Sequence, residues 1–296
     1  MAIMHLNFFS QYLVMNTDLN IILPNSMDPN KYHAKDSSHA DPNFYRSGKK
    51  YKVLLLLHGR WEDYTSWLRL TNIEQYATEN DLIVVMPSGY NSNWTDWPTY
   101  GLLPKMYDYL MEEVMPLVHN WLPGSDKKED NFVVGHSMGG CGATRLLLSY
   151  PDKFAAGASI SSNERPYPMF YEKNLEKGNT SITNWIDNAG GIENFMASRE
   201  NVRGHIEKLV AEGKIGEIPP IYISAGANDD APHIKQFHSW VEFCEQHGLK
   251  VTSHLAEGYG HDWRYFDKEI RNILKFFGFD MSKFENEGKE APGAGH

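Results

Sequence analysis

The chain has 296 residues and a formal net charge of −10, with 28 Lys and Arg against 38 Asp and Glu. A net-acidic surface repels phosphate backbones and argues against nucleic-acid binding, while 41% hydrophobic and 22% charged residues exclude collagen, coiled coil and wholesale disorder. The two cysteines, Cys141 and Cys244, are too few for a disulfide scaffold and fit a reducing compartment.

The N-terminus has neither a basic stretch nor a long apolar one, so it does not read as a signal peptide. The strongest apolar runs, 53–57 and 82–86, are far below the roughly 20 residues that cross a bilayer. No membrane partner is expected, and the chain reads as cytoplasmic.

Residues 6–24 hold two β-prone stretches and predict an antiparallel hairpin. Residues 25–50 are polar, rich in Pro, Asp, Ser and His, and read as a surface loop. His33, Asp36, His39 and Asp41 lie there, but their spacing matches no common ligand pattern, so no metal is expected. The runs 53–57, 82–86, 131–134 and 221–223 are uninterrupted and apolar, as strands buried on both faces must be; 251–255 is a fifth candidate. Between them, 66–79, 104–121, 138–150, 233–247 and 267–277 place apolar residues three and four apart, the period of an amphipathic helix. This alternation predicts an α/β fold with a mostly parallel central sheet flanked by helices.

The period weakens over 162–220, apart from a helix-like piece at 201–213. That stretch is expected to be a cap-like excursion over the active site, within a single domain spanning 1–280. The polar, Gly- and Glu-rich residues 281–296 are expected to form a flexible tail.

Gly135-His136-Ser137-Met138-Gly139 matches G-x-S-x-G, with an apolar strand before it and a helix after it. So tight a strand-to-helix turn needs glycines beside the serine and strains the serine itself, which lifts Oγ clear at the positive end of the helix. Ser137 is therefore the candidate nucleophile. A hydroxyl needs an imidazole to take its proton. His261 sits in a glycine-rich loop after the last strand, where the chain order serine, acid, histidine places the base. The acid follows strand 221–223, where Asp229 and Asp230 compete. Asp229 is favoured, to hold the imidazole's tautomer, and Asp230 is read as the cap of the next helix. The oxyanion donors are expected to be the backbone N–H groups of Met138 and of Arg60, the residue after His58-Gly59.

The pieces Leu56-Leu57-His58-Gly59, Val85-Met86-Pro87-Ser88-Gly89, Gly135-His136-Ser137-Met138-Gly139-Gly140 and Gly260-His261-Asp262-Trp263 resemble the tributyrin esterase and esterase D-like branch of the α/β hydrolases. Pro151-Asp152-Lys153-Phe154 is also similar, and the likeness runs over residues 7–277. The resemblance implies the α/β-hydrolase fold, a serine carboxylesterase acting on small-molecule esters without a cofactor, and frequent homo-oligomers. It implies short acyl chains or acetylated sugars, feruloyl esters in some relatives, and formylglutathione thioesters in more distant ones. The chain departs from that branch at Arg60-Trp61-Glu62-Asp63, where small or apolar residues are usual. It departs again in the long 25–50 insertion and in Asp230-Ala231-Pro232-His233.

Aromatic rings crowd the loops around Ser137, and flat rings suit sugar faces or phenolic acids. Trp61, Trp94 and Trp97, with His136 of the elbow, are the candidate substrate-binding residues; Asn93, Asp96 and Glu164 are candidates for hydroxyl contacts. The expected activity is hydrolysis of acetyl to butyryl esters of a polar, carbohydrate-like alcohol through an acyl-enzyme. The alternatives are a phenolic-acid esterase, an S-formylglutathione hydrolase-like thioesterase and an acyltransferase. A noncatalytic binding module would be expected to have lost a triad member, and none is missing. A lipase would be expected to carry a long apolar lid, and none is seen.

Overall fold

A computed structural model describes residues 1–24, 47–162 and 164–284. The apolar runs form strands because each is hidden from both sides. In β3 (Val53–Leu57), Val53, Leu55 and Leu57 enter one core while Leu54 and Leu56 enter the other. The same division holds in β4 (Ile83–Pro87), β5 (Asn131–His136) and β7 (Ile221–Gly226). With β1 (Ala2–Ser10), β2 (Met15–Leu23), β6 (Ala156–Ile160) and β8 (Val251–Ala256) they make one eight-stranded sheet, ordered β1-β2-β4-β3-β5-β6-β7-β8. The hairpin β1–β2 joins antiparallel at the edge, and β4 to β8 run parallel to β3. The fold is that of the α/β hydrolases, a mostly parallel sheet flanked by helices.

Helices α1 (Ser66–Leu70), α2 (Ile73–Glu79) and α11 (Trp263–Phe276) cover one face. The other is covered by α3 (Met106–Asp108), α4 (Met115–Asn120), α5 (Met138–Ser149), α9 (Val202–Ala211) and α10 (Ala231–Gln246). The helix expected over 66–79 is broken: Thr71 is extended and turns its hydroxyl onto the Trp67 carbonyl at 2.6 Å. The one expected over 104–121 widens into a π turn at Tyr109–Val114, ahead of Pro116, which has no N–H to continue the ladder.

The sequence reading missed β6 and three helices of the excursion: α6 (Tyr167–Glu176), α7 (Thr180–Asn188) and α8 (Ile192–Ala197). These helices share a small core of Tyr167, Trp185, Ile186 and Phe195. The expected tail is corrected at its start, because Met281 and Phe284 are buried and Phe284 sets its ring against Tyr76 at 4.8 Å. Residues 285–296 lie outside the described residues, as do 25–46 of the expected surface loop. Among the described residues, no helix is long and apolar enough to cross a membrane.

Candidate active site

Every candidate catalytic side chain leaves the sheet at the C-terminal edge of a parallel strand, where an open α/β sheet presents its loops. Ser137 follows β5 with φ 52° and ψ −122°, and its N–H donates to the Ile160 carbonyl of β6 at 2.8 Å. The sharpness of this turn dictates its glycines. A Cβ on Gly135 would stand 2.1 Å from the Gly139 carbonyl oxygen, and one on Gly139 2.4 Å from that of Leu57. Ser137 heads α5, so its hydroxyl lies at the positive end of a twelve-residue helix.

Asp229 follows β7 and His261 follows β8, and the two loops are bonded together. Asn228 N–H donates to the Tyr259 carbonyl at 2.7 Å, and a Cβ on Gly226 would meet that carbonyl at 2.4 Å. His261 Nδ1 lies 3.1 Å from Asp229 Oδ2, and the Asp229 side chain is only 7% exposed. Asp230 points elsewhere: it caps α10, accepting the His233 N–H at 2.8 Å and meeting the His233 ring at 2.6 Å. Those bonds, the backbone one first, hold its carboxyl below the usual range.

The loop after β3 is pinned by buried groups. His58 Nδ1 lies 2.7 Å from the Gly59 carbonyl, and its Nε2 accepts the Gly89 N–H at 2.8 Å. Burial pushes the imidazole down to about 4, so it is neutral, with the proton on Nδ1. Glu62 accepts the Gly59 N–H at 2.8 Å, and Asn91 accepts the Trp61 N–H at 2.8 Å.

These loops enclose a cavity of about 480 Å³ whose wall includes Ser137, His261, Asp229, Met138, Arg60 and Trp61. Trp61 stands at its edge, 86% exposed and in the left-handed region at φ 66°. The other three candidate binding residues do not line this cavity. His136 is fully buried against Trp67, Trp263 and Phe266, with Nε2 close to Glu62 at 2.8 Å but off the ring N–H axis. Trp94 is 1% exposed and donates Nε1–H to the His58 carbonyl at 3.1 Å, bracing the loop from below. Trp97 faces a separate cleft of about 920 Å³ shared with Tyr100 and Leu102. Of the hydroxyl-binding candidates, Asn93 lines the cavity, whereas Asp96 pairs with Arg199 at 3.0 Å and Glu164 is buried.

Sequence reasoning missed Arg145, Arg165 and His233 in the wall. Arg145 is 1% exposed on α5; it meets Glu164 at 3.3 Å, Glu200 at 3.4 Å and the Tyr167 hydroxyl at 3.1 Å. Its guanidinium also lies 5.1 Å from the Trp185 ring centre, so it ties the elbow helix to α6 and α7. Burial pushes the Glu200 carboxyl up to about 7, against the pull of Arg145 and Arg199. The signal was a lone arginine two turns along an apolar helix. Asp229, Asp230 and His233 bring three potential ligand atoms within 4.8 Å. Asp230 Oδ1 also serves the helix cap, and Asp229 Oδ2 meets His261.

Fold and relatives together define a carboxylic ester hydrolase of the α/β-hydrolase class. Residues 38–277 match the Esterase family, and the chain belongs to it. It is 28% identical over 281 residues to an acetyl esterase of Caldicellulosiruptor saccharolyticus, covering 93% of this chain and 98% of that one. Among solved structures it is similar to FphF, a fluorophosphonate-binding serine hydrolase of Staphylococcus aureus, with a TM-score of 0.72, 28% identity and coverage of 94% and 99%. The S-formylglutathione hydrolase FrmB of Staphylococcus aureus matches with a TM-score of 0.70, 28% identity and coverage of 93% and 98%.

Proposed function

We propose that the protein is a serine esterase that hydrolyses acetyl to butyryl esters of a polar alcohol through an acyl-enzyme on Ser137. The observation that carries this is the meeting of Ser137, His261 and the buried Asp229 in the wall of one cavity. Asp229 accepts the proton-bearing Nδ1 of His261, which leaves Nε2 as the general base. Ser137 Oγ attacks the ester carbonyl as His261 takes its proton. The N–H groups of Met138 and Arg60 stabilise the oxyanion, each worth about 3 kcal/mol. The protonated imidazole then passes its proton to the leaving alcohol, and water repeats the sequence on the acyl-enzyme.

A cavity of about 480 Å³ lies toward the small end of ligand sites, which suits a short acyl chain and a compact alcohol. The polar side chains Asn93, Ser161 and Ser162 in its wall suit an alcohol that keeps hydroxyls. A phenolic-acid esterase is the second reading, favoured by Tyr167, Phe170 and Trp185 in the wall. Similarity to FrmB supports thioester hydrolysis at the same serine as a further reading. The free thiols of Cys141 and Cys244 fit a cytoplasmic setting.

The test is kcat/KM over 4-nitrophenyl esters from acetate to dodecanoate, with methyl ferulate and an acetylated xylan alongside. The expected maximum lies between acetate and butyrate, about tenfold or more above the octanoate, from the crowding of added methylenes. A maximum at dodecanoate contradicts the short-acyl reading, and turnover of methyl ferulate above all acetyl esters selects the second.

A further inference from the structure

Three guanidinium-bearing residues line the Ser137 cavity, Arg60, Arg145 and Arg165, and they are not equivalent. Arg145 is buried and matched by two carboxylates, Glu164 and Glu200. Arg60 and Arg165 are held by neutral amides instead. Arg60 Nη2 donates to Asn93 Oδ1 at 3.3 Å, and Arg165 Nε donates to Gln236 Oε1 at 3.0 Å. Arg165 also lies over the Phe170 ring, 4.4 Å from its centre. Among the described residues, neither guanidinium has a carboxylate within 4.0 Å.

The chain has a net charge of −10, yet among the described residues these two arginines stand in the active-site wall without a carboxylate partner. The wall's own acids are otherwise engaged: Asp229 with His261, and Asp230 with His233. Arg165 does lie near enough to Asp230 to help hold that carboxyl below its usual range, though only as the weakest of its influences. A guanidinium placed by an amide at one nitrogen keeps its full charge and offers its remaining N–H donors in a fixed fork. Because the neutral contacts have already ordered the side chain, less freedom is lost when an anion arrives. That fork matches a carboxylate in geometry as well as in charge.

We propose that Arg60 and Arg165 form an anion subsite in the wall of the Ser137 cavity, and that the substrate is an ester carrying a carboxylate. The inference rests on the esterase reading and adds the charge of the substrate to it. The carboxylate belongs either to the acyl part or to the alcohol part of the ester.

Two matched pairs separate those sources: 4-acetoxybenzoate against methyl 4-acetoxybenzoate, and 4-nitrophenyl hydrogen glutarate against 4-nitrophenyl pentanoate. Each kcat/KM is divided by that ester's rate with hydroxide. One anionic member is expected to exceed its neutral partner by about tenfold or more, as a charge-assisted hydrogen bond allows. Arg165→Gln should collapse that ratio toward unity, and Arg165→Lys should restore part of it. The neutral ester in each variant reports whether the fold and the triad are intact. Equal or better use of the neutral partner in both pairs overturns the anion subsite while leaving the esterase reading standing. So does a preference that survives Arg165→Gln. Failure to turn over any of the four esters counts against the esterase reading itself, and the subsite falls with it.

Discussion

Asp229 and Asp230 are neighbours in sequence with different surroundings. Asp229 is buried beneath His261, whereas Asp230 is mostly exposed and occupied as the N-cap of α10. Only a carboxylate that meets Nδ1 can fix the imidazole's tautomer, so the two predict different losses. Asp229→Asn should lower kcat on 4-nitrophenyl acetate by about 10⁴-fold, while Asp230→Asn should leave kcat nearly unchanged, since an asparagine caps a helix as well as an aspartate does. A collapse of kcat in the second variant alone would reverse the assignment. At this scale the sequence was legible wherever chemistry follows chain-local rules. Gly135 to Gly139 announces the elbow, and Gly258 to Trp263 announces a loop that presents a histidine. What was not legible is which way a large side chain turns. Trp94 and Trp61 look alike in a sequence, yet one lies under the loop and the other stands in solvent. That difference is set by Gly89 and Gly142, whose missing side chains make room for the Trp94 ring.

Among the elements, β3 and the loop after it depend on the His58 clamp. The imidazole can accept the Gly89 N–H only while Nε2 is unprotonated. Its folded value, pushed down to about 4 by burial, lies below the ordinary value near 6.5. The unfolded chain therefore binds the extra proton between those values, and stability is lost as pH falls from about 6.5 to about 4. The full loss is about 3 kcal/mol, so urea midpoints measured at pH 7 and pH 4 should differ less in His58→Asn than in the native chain. Equal differences would mean that His58 is not the proton-sensitive clamp described. The apolar strands β3, β4, β5 and β7 were readable because burial on both faces demands an unbroken apolar run. Strand β6 was not, since Ala156-Gly157-Ala158-Ser159-Ile160 carries little apolar signal. Its small residues are required where Leu147 packs on Gly157 and where Ser159 lies against Gly140. Helices α6 to α8 escaped notice because they pack on one another and on Arg145, and not on the sheet.

Across the whole molecule, the order of strands brings together groups that are 124 residues apart in the chain, Ser137 and His261, at one edge of the sheet. Arg145 extends this convergence to the excursion, so the cavity's floor and roof share one buried guanidinium. The larger cleft, of about 920 Å³, contains neither Ser137 nor His261 and takes no part in the proposed chemistry. The central claim is that His261 activates Ser137. Its most direct test is exposure of the protein to a fluorophosphonate, followed by mass mapping of the adduct and comparison of labelling rates with His261→Ala. The account predicts one adduct, on Ser137, formed at least about a thousandfold more slowly in the variant. An adduct on another residue, or an undiminished rate without the imidazole, would contradict it.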